Sequence, residues 1–180
     1  MITTHERTEA QAQAAEMIQK ADVYVTAAEI ASIEVADFGL SRVRVEGAQI
    51  LTWLQTERIG VKILVLLPGQ TLPEHWHPQV GDDPGKEETV RHLYGDLYVV
   101  VDGQDTMELS HLPEGNEHSY SCRHELVPHV GEQITFPPLA KHWFQAGPGG
   151  AVAFSFSSVV RDALDGVTAP NIERIPVVSD

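Results

Sequence analysis

The sequence contains one cysteine, Cys122, and no long run of apolar residues. A single cysteine excludes a disulfide within the chain and a zinc site built from several thiolates, and it suits a reducing compartment. The longest apolar run, at residues 63–67, is far too short to span a bilayer. Residues 1–20 lack the continuous apolar segment of a signal peptide. These features predict a cytoplasmic protein with no membrane partner.

Basic residues are also scarce. The chain carries 12 Lys and Arg against 26 Asp and Glu, which gives a net charge of -14 and a sequence pI of about 4.9. Such a surface repels phosphate backbones, so we do not expect a nucleic-acid partner. The hydrophobic content of 42% is that of an ordinary globular protein. At this length, residues 1–180 are expected to form a single domain.

The periodicity of apolar residues predicts one short helix followed by many strands. Residues 6–21 are rich in Ala, Gln and Glu, with Thr3 or Thr4 as the candidate N-cap, and we expect a helix packed on the outside of a sheet. Strands are predicted near residues 23–25, 42–46, 50–54, 61–67, 97–101, 134–136 and 152–156. Asp102-Gly103 is typical of a hairpin turn. This pattern favours an all-β sandwich or barrel, which can enclose a ligand cavity.

The stretch at residues 69–95, GQTLPEHWHPQVGDDPGKEETVRHLYG, carries the most informative pattern. Side chains two apart on a strand share a face, so His75 and His77 can point into one cavity and make half of a metal site. Glu88 offers a carboxylate downstream, and a third imidazole would complete the set. Three neutral imidazoles and one carboxylate suit a divalent first-row ion, namely Mn, Fe, Co, Ni or Zn.

Two segments resemble the cupin motifs. The first, at residues 69–95, is carried by Gly69, His75, His77, Glu88 and Gly95, with an insertion, VGDDPGK, between the second histidine and the glutamate. The second, at residues 131–142, is carried by Gly131, Pro137 and His142. The resemblance implies an all-β cupin fold, which is a double-stranded β-helix or jelly-roll barrel.

A narrower resemblance extends from about residue 60 to about residue 170. The phrases EHWHPQVGDDPGKEETVRHLYGDLYVVV, PPLAKHWFQAG and FSFSSVVRDALD are similar to those of the cupin-type D-lyxose isomerases. This implies metal ligands at His75, His77, Glu88 and His142, with Mn(II) as the ion. It also implies isomerisation of D-lyxose to D-xylulose and of D-mannose to D-fructose, with a small-molecule sugar as partner. The wider cupin resemblance implies a homodimer. The tail VVRDALDGVTAP departs from the usual ending at Ala163, Gly166 and Ala169.

An aldose–ketose isomerase moves a proton from C2 to C1 through a metal-stabilised enediol, or moves a hydride, and the sequence does not distinguish the two routes. Lys86 lies two residues from Glu88, so an extended chain brings it to the same cavity. We predict a catalytic and substrate-binding role for Lys86, with a pKa lowered by the nearby ion. The alternative is a loop lysine in an acidic insertion.

Other polar residues are candidates for binding the sugar. Tyr94 shares the strand face of Glu88, and Arg161 and Asp165 lie in the tail. The structural alternatives are a core aromatic for Tyr94 and surface charges for the other two. If Lys86 only binds the sugar, a carboxylate such as Glu132, Asp96 or Asp165 has to carry the proton.

Two functions other than isomerisation stay open. An Fe(II) cupin with three histidines and one glutamate can activate oxygen as dioxygenases do, although the polar insertion favours a sugar-like substrate. A non-catalytic sugar-binding or sensor cupin would bind sugar or metal without exchanging the C2 hydrogen. A phosphosugar substrate is less favoured, because no cluster of Lys and Arg is evident near the site.

Overall fold

The computed structural model describes residues 2–158, 162–170 and 172, together with the backbone of residues 178–179. Its first elements are a short strand, β1 (Ile2–Thr3), and a helix, α1 (Thr4–Lys20). The Thr3 hydroxyl accepts a hydrogen bond from the backbone N–H of Glu6, and the Glu6 carboxylate accepts one from the backbone N–H of Thr3. The helix predicted at residues 6–21, with Thr3 as N-cap, is confirmed to within two residues at each end.

A second helix, α2 (Ala27–Ala31), was not predicted from the sequence. Thr26 and Glu29 form the same reciprocal cap as Thr3 and Glu6, and this cap starts the helix. The strand predicted at residues 23–25 is therefore wrong, because these residues form the irregular lead-in to α2. In the part of the chain that the structure describes, no helix is long and apolar enough to cross a membrane.

The remaining strands form most of the molecule. They are β2 (Glu34–Ala36), β3 (Ala48–Gln55), β4 (Gly60–Leu66), β5 (Thr71–Trp76), β6 (Glu88–Val101), β7 (His124–Leu126), β8 (Gln133–Phe136), β9 (His142–Ser157), β10 (Gly166–Val167) and β11 (Val178–Ser179). Among the described residues, strands β2 to β10 make one nine-stranded antiparallel sheet, and β11 pairs in parallel with β1.

The two longest strands curl this sheet. β9 pairs with β6 along one edge, and with β5 and then β4 along the other. Bulges interrupt the β6–β9 pairing beside Gly95, where a Cβ atom would lie 2.0 Å from the carbonyl oxygen of Gly150. Glycine permits this close approach, and bulges bend a strand. The curled antiparallel sheet confirms the predicted all-β cupin fold.

The two faces of the sheet bury different apolar residues. On β4, Leu64 and Leu66 point to the interior of the curled sheet, whereas Ile63 and Val65 point to the opposite face, where they pack in one core with residues of α1. This division follows from the alternation of side chains along a strand. Helix α1 therefore covers the outer face, as expected, and the inner face is left to form a cavity.

Two further local predictions are wrong. Residues 42–46 form a turn rather than a strand, and Arg42 reaches back to the buried carboxylate of Glu46 at 3.5 Å. Asp102-Gly103 does not close a tight hairpin. These two residues begin a long connection at residues 102–123, because the next strand, β7, begins only at His124, which pairs with Val101.

Candidate metal centre

Four side chains from three strands and a loop converge at one point inside the curled sheet. His75 lies in β5, His77 follows the end of β5, Glu88 begins β6 and His142 begins β9. Strands β5 and β9 pair with His75 opposite His142. One ligand atom from each of the four residues lies within 4.8 Å of all the others. The structure thus brings together the four residues that the sequence singled out as metal ligands.

Each of the three imidazole rings is fixed by a backbone carbonyl. The Nδ1 atoms lie 2.9 Å from Pro73 O in His75, 3.1 Å from Lys86 O in His77 and 2.9 Å from Ala140 O in His142. A carbonyl oxygen only accepts hydrogen bonds, so each Nδ1 carries a proton and donates it. In the neutral ring, Nε2 then presents a lone pair to the site.

This arrangement places buried electron-pair donors against one another. Oε2 of Glu88 lies 3.3 Å from Nε2 of His77 and 3.7 Å from Nε2 of His142. Both nitrogens are buried and have no hydrogen-bond partner among the described residues. Lone pairs that face a carboxylate repel it, and a cation between them relieves both the repulsion and the missing contacts. The donor set therefore fits a divalent metal ion.

The protonation states of the site also suit a cation. Burial lowers the pKa of His75 well below its ordinary value of 6.5, and the neighbouring His142 and His77 rings lower it further. Burial alone would raise the pKa of Glu88, but His142 and His77, which donate to the carboxylate when their Nε2 atoms are protonated, and the charge of Lys86 hold that pKa well below 4.5. A neutral imidazole and an ionised carboxylate are the forms that bind metal.

The insertion after His77 folds back against this ligand. Gly85 has a φ of +107°, and a Cβ atom there would lie 2.7 Å from the His77 carbonyl oxygen and 2.9 Å from that of Pro78. Glycine is therefore required at this position. The close approach brings Lys86 next to His77, so that the Lys86 carbonyl oxygen holds the His77 ring.

Two lysines and two aspartates line the cavity beside these ligands, and we call Lys62, Lys86, Asp162 and Asp165 the lysine–aspartate cluster. Nζ of Lys86 lies 3.1 Å from Oδ1 of Asp162 and 3.3 Å from Oδ2 of Asp165. Nζ of Lys62 forms an ion pair with Oδ2 of Asp162. Both lysines are buried. The structure brings Lys86 and Asp165 to the site and adds Lys62 and Asp162, which sequence reasoning missed.

The protein's own groups raise the pKa of Lys86. Burial lowers the pKa of this amine, but the carboxylates of Glu88, Asp165 and Asp162 outweigh burial, and the pKa is raised from 10.5. The lowering expected from a neighbouring divalent ion stays a prediction. In its contacts with Asp162 and Asp165, Lys86 donates hydrogen bonds.

The segment that carries the two aspartates is fixed along β5. In β10, Gly166 pairs with Trp76 and Val167 pairs with His75. The Thr168 hydroxyl donates a hydrogen bond of 2.6 Å to the buried carboxylate of Glu74. The lysine–aspartate cluster and the proposed ligands His75 and Glu88 line one cavity, together with apolar side chains of the sheet interior.

Tyr94, another predicted sugar-binding residue, does not line this cavity. A bulge in β6 between His92 and Tyr94 reverses the alternation of side chains, and Tyr94 packs with the helix-side core instead. Arg161 lies outside the described residues. The alternative carboxylates, Glu132 and Asp96, are exposed on the surface.

The chain is similar to named isomerases over almost its whole length. It is 46% identical over 171 residues to the D-lyxose ketol-isomerase of Cohnella laeviribosi, and the match covers 94% of each chain. It is 45% identical over 174 residues to the D-lyxose/D-mannose isomerase of Thermosediminibacter oceani, covering 96% of each chain. No protein-family model matches the sequence.

The fold is similar to those of solved L-ribose isomerases. The ligand-free L-ribose isomerase of Cellulomonas parahominis superposes with a TM-score of 0.83 at 16% identity, over 99% of this chain and 98% of that chain. The L-ribose isomerase of Acinetobacter sp. DL28 in complex with L-ribose superposes with a TM-score of 0.80 at 15% identity, with the same coverage. At these identities the likeness shows the fold alone.

Proposed function

The chain belongs to the D-lyxose ketol-isomerase family, and we propose that it interconverts D-lyxose with D-xylulose, and D-mannose with D-fructose, in a metal-dependent reaction. The observation that carries the proposal is the convergence of His75, His77, Glu88 and His142, with their ligand atoms within 4.8 Å of one another. The relatives named for D-lyxose and D-mannose, at 46% and 45% identity, support the choice of sugars.

We assign the metal ion to these four residues. Mn(II) is our first choice because the family resemblance implies it, and Co, Fe, Ni and Zn also suit three imidazoles and one carboxylate. When bound, such an ion supplies Lewis-acid chemistry, which draws electron density from the sugar carbonyl and makes the C2 proton easier to remove. The handling of that proton and of the hydroxyl groups falls to the protein's own side chains.

We assign Lys86 to the sugar as a hydrogen-bond donor. Among the protein's own groups, the carboxylates of Glu88, Asp165 and Asp162 raise its pKa against the effect of burial. Nζ of Lys86 contacts two carboxylates, which favours the ammonium form and a role as donor, so we assign the base to a carboxylate. Its catalytic contribution is to bind a sugar hydroxyl and to stabilise negative charge that develops on a neighbouring oxygen.

We assign the proton transfer to an aspartate of the lysine–aspartate cluster. Asp162 and Asp165 both lie within ion-pair distance of Lys86, and such contacts favour the ionised carboxylate, which is the form that acts as a base. Glu132 and Asp96 are exposed on the surface, which makes them poor candidates. Asp165 is assigned to binding the sugar hydroxyls as well.

The charges of the cavity favour a neutral sugar over a phosphosugar. The cavity contains two lysines, but both form ion pairs with the aspartates of the cluster. Together with Glu88, the cluster carries two positive and three negative formal charges. A phosphate would lack uncompensated cationic partners and would face carboxylates.

We further propose that the protein acts as a homodimer in the cytoplasm. The resemblance to cupins supports the dimer, and the buried lone Cys122 is compatible with a reducing compartment. Size-exclusion chromatography with light scattering measures the assembly directly. A mass of about twice the 19.8 kDa protomer is expected, and a monomer would contradict the dimer.

Chelation and metal restoration under nitrogen test the proposed function. We expect no ketose from D-lyxose or D-mannose after chelation, and recovery of D-xylulose and D-fructose on addition of Mn(II) without oxygen. Turnover that requires oxygen would support the dioxygenase alternative. Metal and sugar binding without any ketose would support a sensor. Either of these two results contradicts the proposal.

A further inference from the structure

Lys62 is a charged residue in a row of apolar side chains that faces the interior of the sheet. It lies in β4 on the same face as Leu64 and Leu66, and only 6% of its surface is exposed. A well-packed apolar residue usually gives an interior that is at least as stable as one with a buried ion pair. Folding therefore does not explain this lysine, and a role in the cavity does.

Lys62 and Lys86 hold the two oxygens of a single carboxylate. Nζ of Lys62 pairs with Oδ2 of Asp162, and Nζ of Lys86 lies 3.1 Å from Oδ1. The two lysines come from separate parts of the chain. Because each oxygen has its own ammonium, both the position and the orientation of the Asp162 carboxylate are fixed.

Lys62 also lies close to the metal ligands across the sheet. It is the cross-strand partner of Ser155 in β9, and the Ser155 hydroxyl donates a hydrogen bond to Oε1 of Glu88. Lys62, Asp162 and Glu88 line the same cavity. The carboxylate that Lys62 holds therefore lines the site, with a quarter of the Asp162 side chain exposed.

We propose that Lys62 is a positioning residue, which holds Asp162 in place as the carboxylate that carries the proton between C2 and C1. The inference rests on the proposed isomerase function and chooses between its two aspartates. Asp162 takes the C2 proton, the electron pair of the C2–H bond forms the C1–C2 double bond, and the proton of O2 passes to O1. Asp162 then returns its proton to C1, which gives the ketose, so no oxidant or reductant is needed.

Direct binding of the sugar by Lys62 is the competing role, because Lys62 itself lines the cavity. The two roles differ in their kinetics. A positioning residue acts on kcat and has no effect once its partner is removed, whereas a sugar-binding residue acts on KM whether or not the partner is present.

A double-mutant cycle separates the two roles. Lys62→Met is expected to lower kcat on D-lyxose by about 10-fold to 100-fold, since small displacements of a reacting group cost this much. KM is expected to change by less than about threefold, and Lys62→Arg to recover most of the loss. Asp162→Asn is expected to lower kcat by about 10²–10⁴. The Lys62→Met/Asp162→Asn double variant should be no slower than Asp162→Asn alone.

The controls keep a folding defect apart from a kinetic effect. Lys20→Met, at the exposed end of α1, should have the kinetics of the wild type. Metal content should be equal in all variants. The unreactive alditol D-arabinitol, which is the reduced form of D-lyxose, should bind the Lys62→Met variant and the wild type with equal affinity in calorimetry. If Lys62→Met does not fold, the double variant, which has no unpaired buried charge, still gives the comparison with Asp162→Asn.

Three results would each overturn the proposal. They are a wild-type kcat in Lys62→Met, a change in KM alone in that variant, and additive losses of kcat in the double variant. A wild-type protein without isomerase activity would instead overturn the proposed function. The two failures are therefore distinguishable.

Discussion

The ring of His77 is held by the backbone of Lys86, because Nδ1 of the ring lies 3.1 Å from the carbonyl oxygen of that lysine. The contact joins a proposed metal ligand to the residue that we assign to the sugar. Glu88 follows two residues later, so one short stretch fixes one ligand, carries a second and supplies the ammonium. A backbone shift at residue 85 or 86 must therefore affect metal affinity and sugar binding together.

Gly85→Ala tests this coupling. The added Cβ would lie 2.7 Å from the His77 carbonyl oxygen at a φ of +107°, so the loop has to move away from His77. We expect metal affinity to fall by about 10-fold to 100-fold and the free energy of unfolding to fall by about 1–3 kcal/mol. Metal titration followed by calorimetry measures the first effect, and denaturant unfolding the second.

Gly81→Ala is the matched control for the loop variant. Gly81 also has a positive φ, of +59°, but a Cβ there meets nothing within 4 Å. The Gly81→Ala variant should have a lower free energy of unfolding than the wild type and an unchanged metal affinity. Equal metal affinities for the two variants would contradict the coupling.

Glu88→Gln removes the charged ligand and keeps its shape. Oε2 of Glu88 faces the Nε2 atoms of His77 and His142, and a neutral amide does not offset the charge of a cation there. We expect the variant to lose bound metal and at least about 10³-fold in kcat/KM, measured by elemental analysis and by ketose formation. His111→Ala, which changes an exposed histidine, should leave both values unchanged. Full activity in the metal-free variant would refute the assignment of the ligands.

The stability of the chelated protein is expected to fall as the solution becomes acidic. Burial and the two neighbouring rings lower the pKa of His75, so the unfolded chain binds its proton first as the pH drops below 6.5. Protonation of this single group lowers the free energy of unfolding by at most about 1.4 kcal/mol for each pH unit below 6.5. Glu88, whose pKa is held well below 4.5, adds a further loss at pH values below 4.5.

Thermal unfolding between pH 7 and pH 4 measures this dependence. His75→Gln removes the titrating ring, so its melting temperature should fall less steeply between pH 6.5 and pH 5 than that of the wild type. The same slope in both proteins would show that His75 does not account for the acid sensitivity.

Gly166→Ala tests the placement of the aspartate-bearing segment. A Cβ at this position would lie 2.2 Å from the Trp76 ring, so either the ring or the segment has to shift. Asp165 is the preceding residue and lies 3.3 Å from Lys86. We expect kcat/KM to fall by about 10-fold to 100-fold with unchanged metal content. Gly149→Ala, where the nearest atom would lie 3.8 Å away, serves as control, and wild-type kinetics in both variants would contradict the account.

The four proposed metal ligands came from two motifs and a family resemblance. His75 and His77 share a strand face, Glu88 keeps its distance to Gly95, and His142 came from the resemblance to the D-lyxose isomerases. Lys62 and Asp162, by contrast, are 100 residues apart in the chain, and only the folded sheet brings them together. A signal for Lys62 was present, since it is the one charged residue in the apolar run at residues 61–67. The tail also offered a signal for Asp162. It lies three residues before Asp165, and residues three apart share a face in a 3₁₀ turn such as the one that begins at Asp162.

The errors of local structure have local causes. The capping box of Thr26 and Glu29 was visible in the sequence and outweighs the alternation of Val23 and Val25. Tyr94 was misplaced because a bulge in β6 reverses the side-chain alternation, and periodicity alone does not reveal a bulge. Alternation therefore predicts a face only as far as the next irregularity in the strand.

The central claim is tested most directly by isomerisation of D-lyxose in D₂O. The protein is first chelated and then restored with Mn(II), and the reaction is run under nitrogen. Proton NMR follows the C2 proton of D-lyxose and the C1 protons of D-xylulose. If an aspartate carries the proton beside a metal at this site, D-xylulose should form only with metal and should contain deuterium at C1. The Glu88→Gln variant should form no D-xylulose. D-xylulose without deuterium would contradict transfer through an exchangeable carboxylate. No ketose from protein with metal bound would contradict the account as a whole.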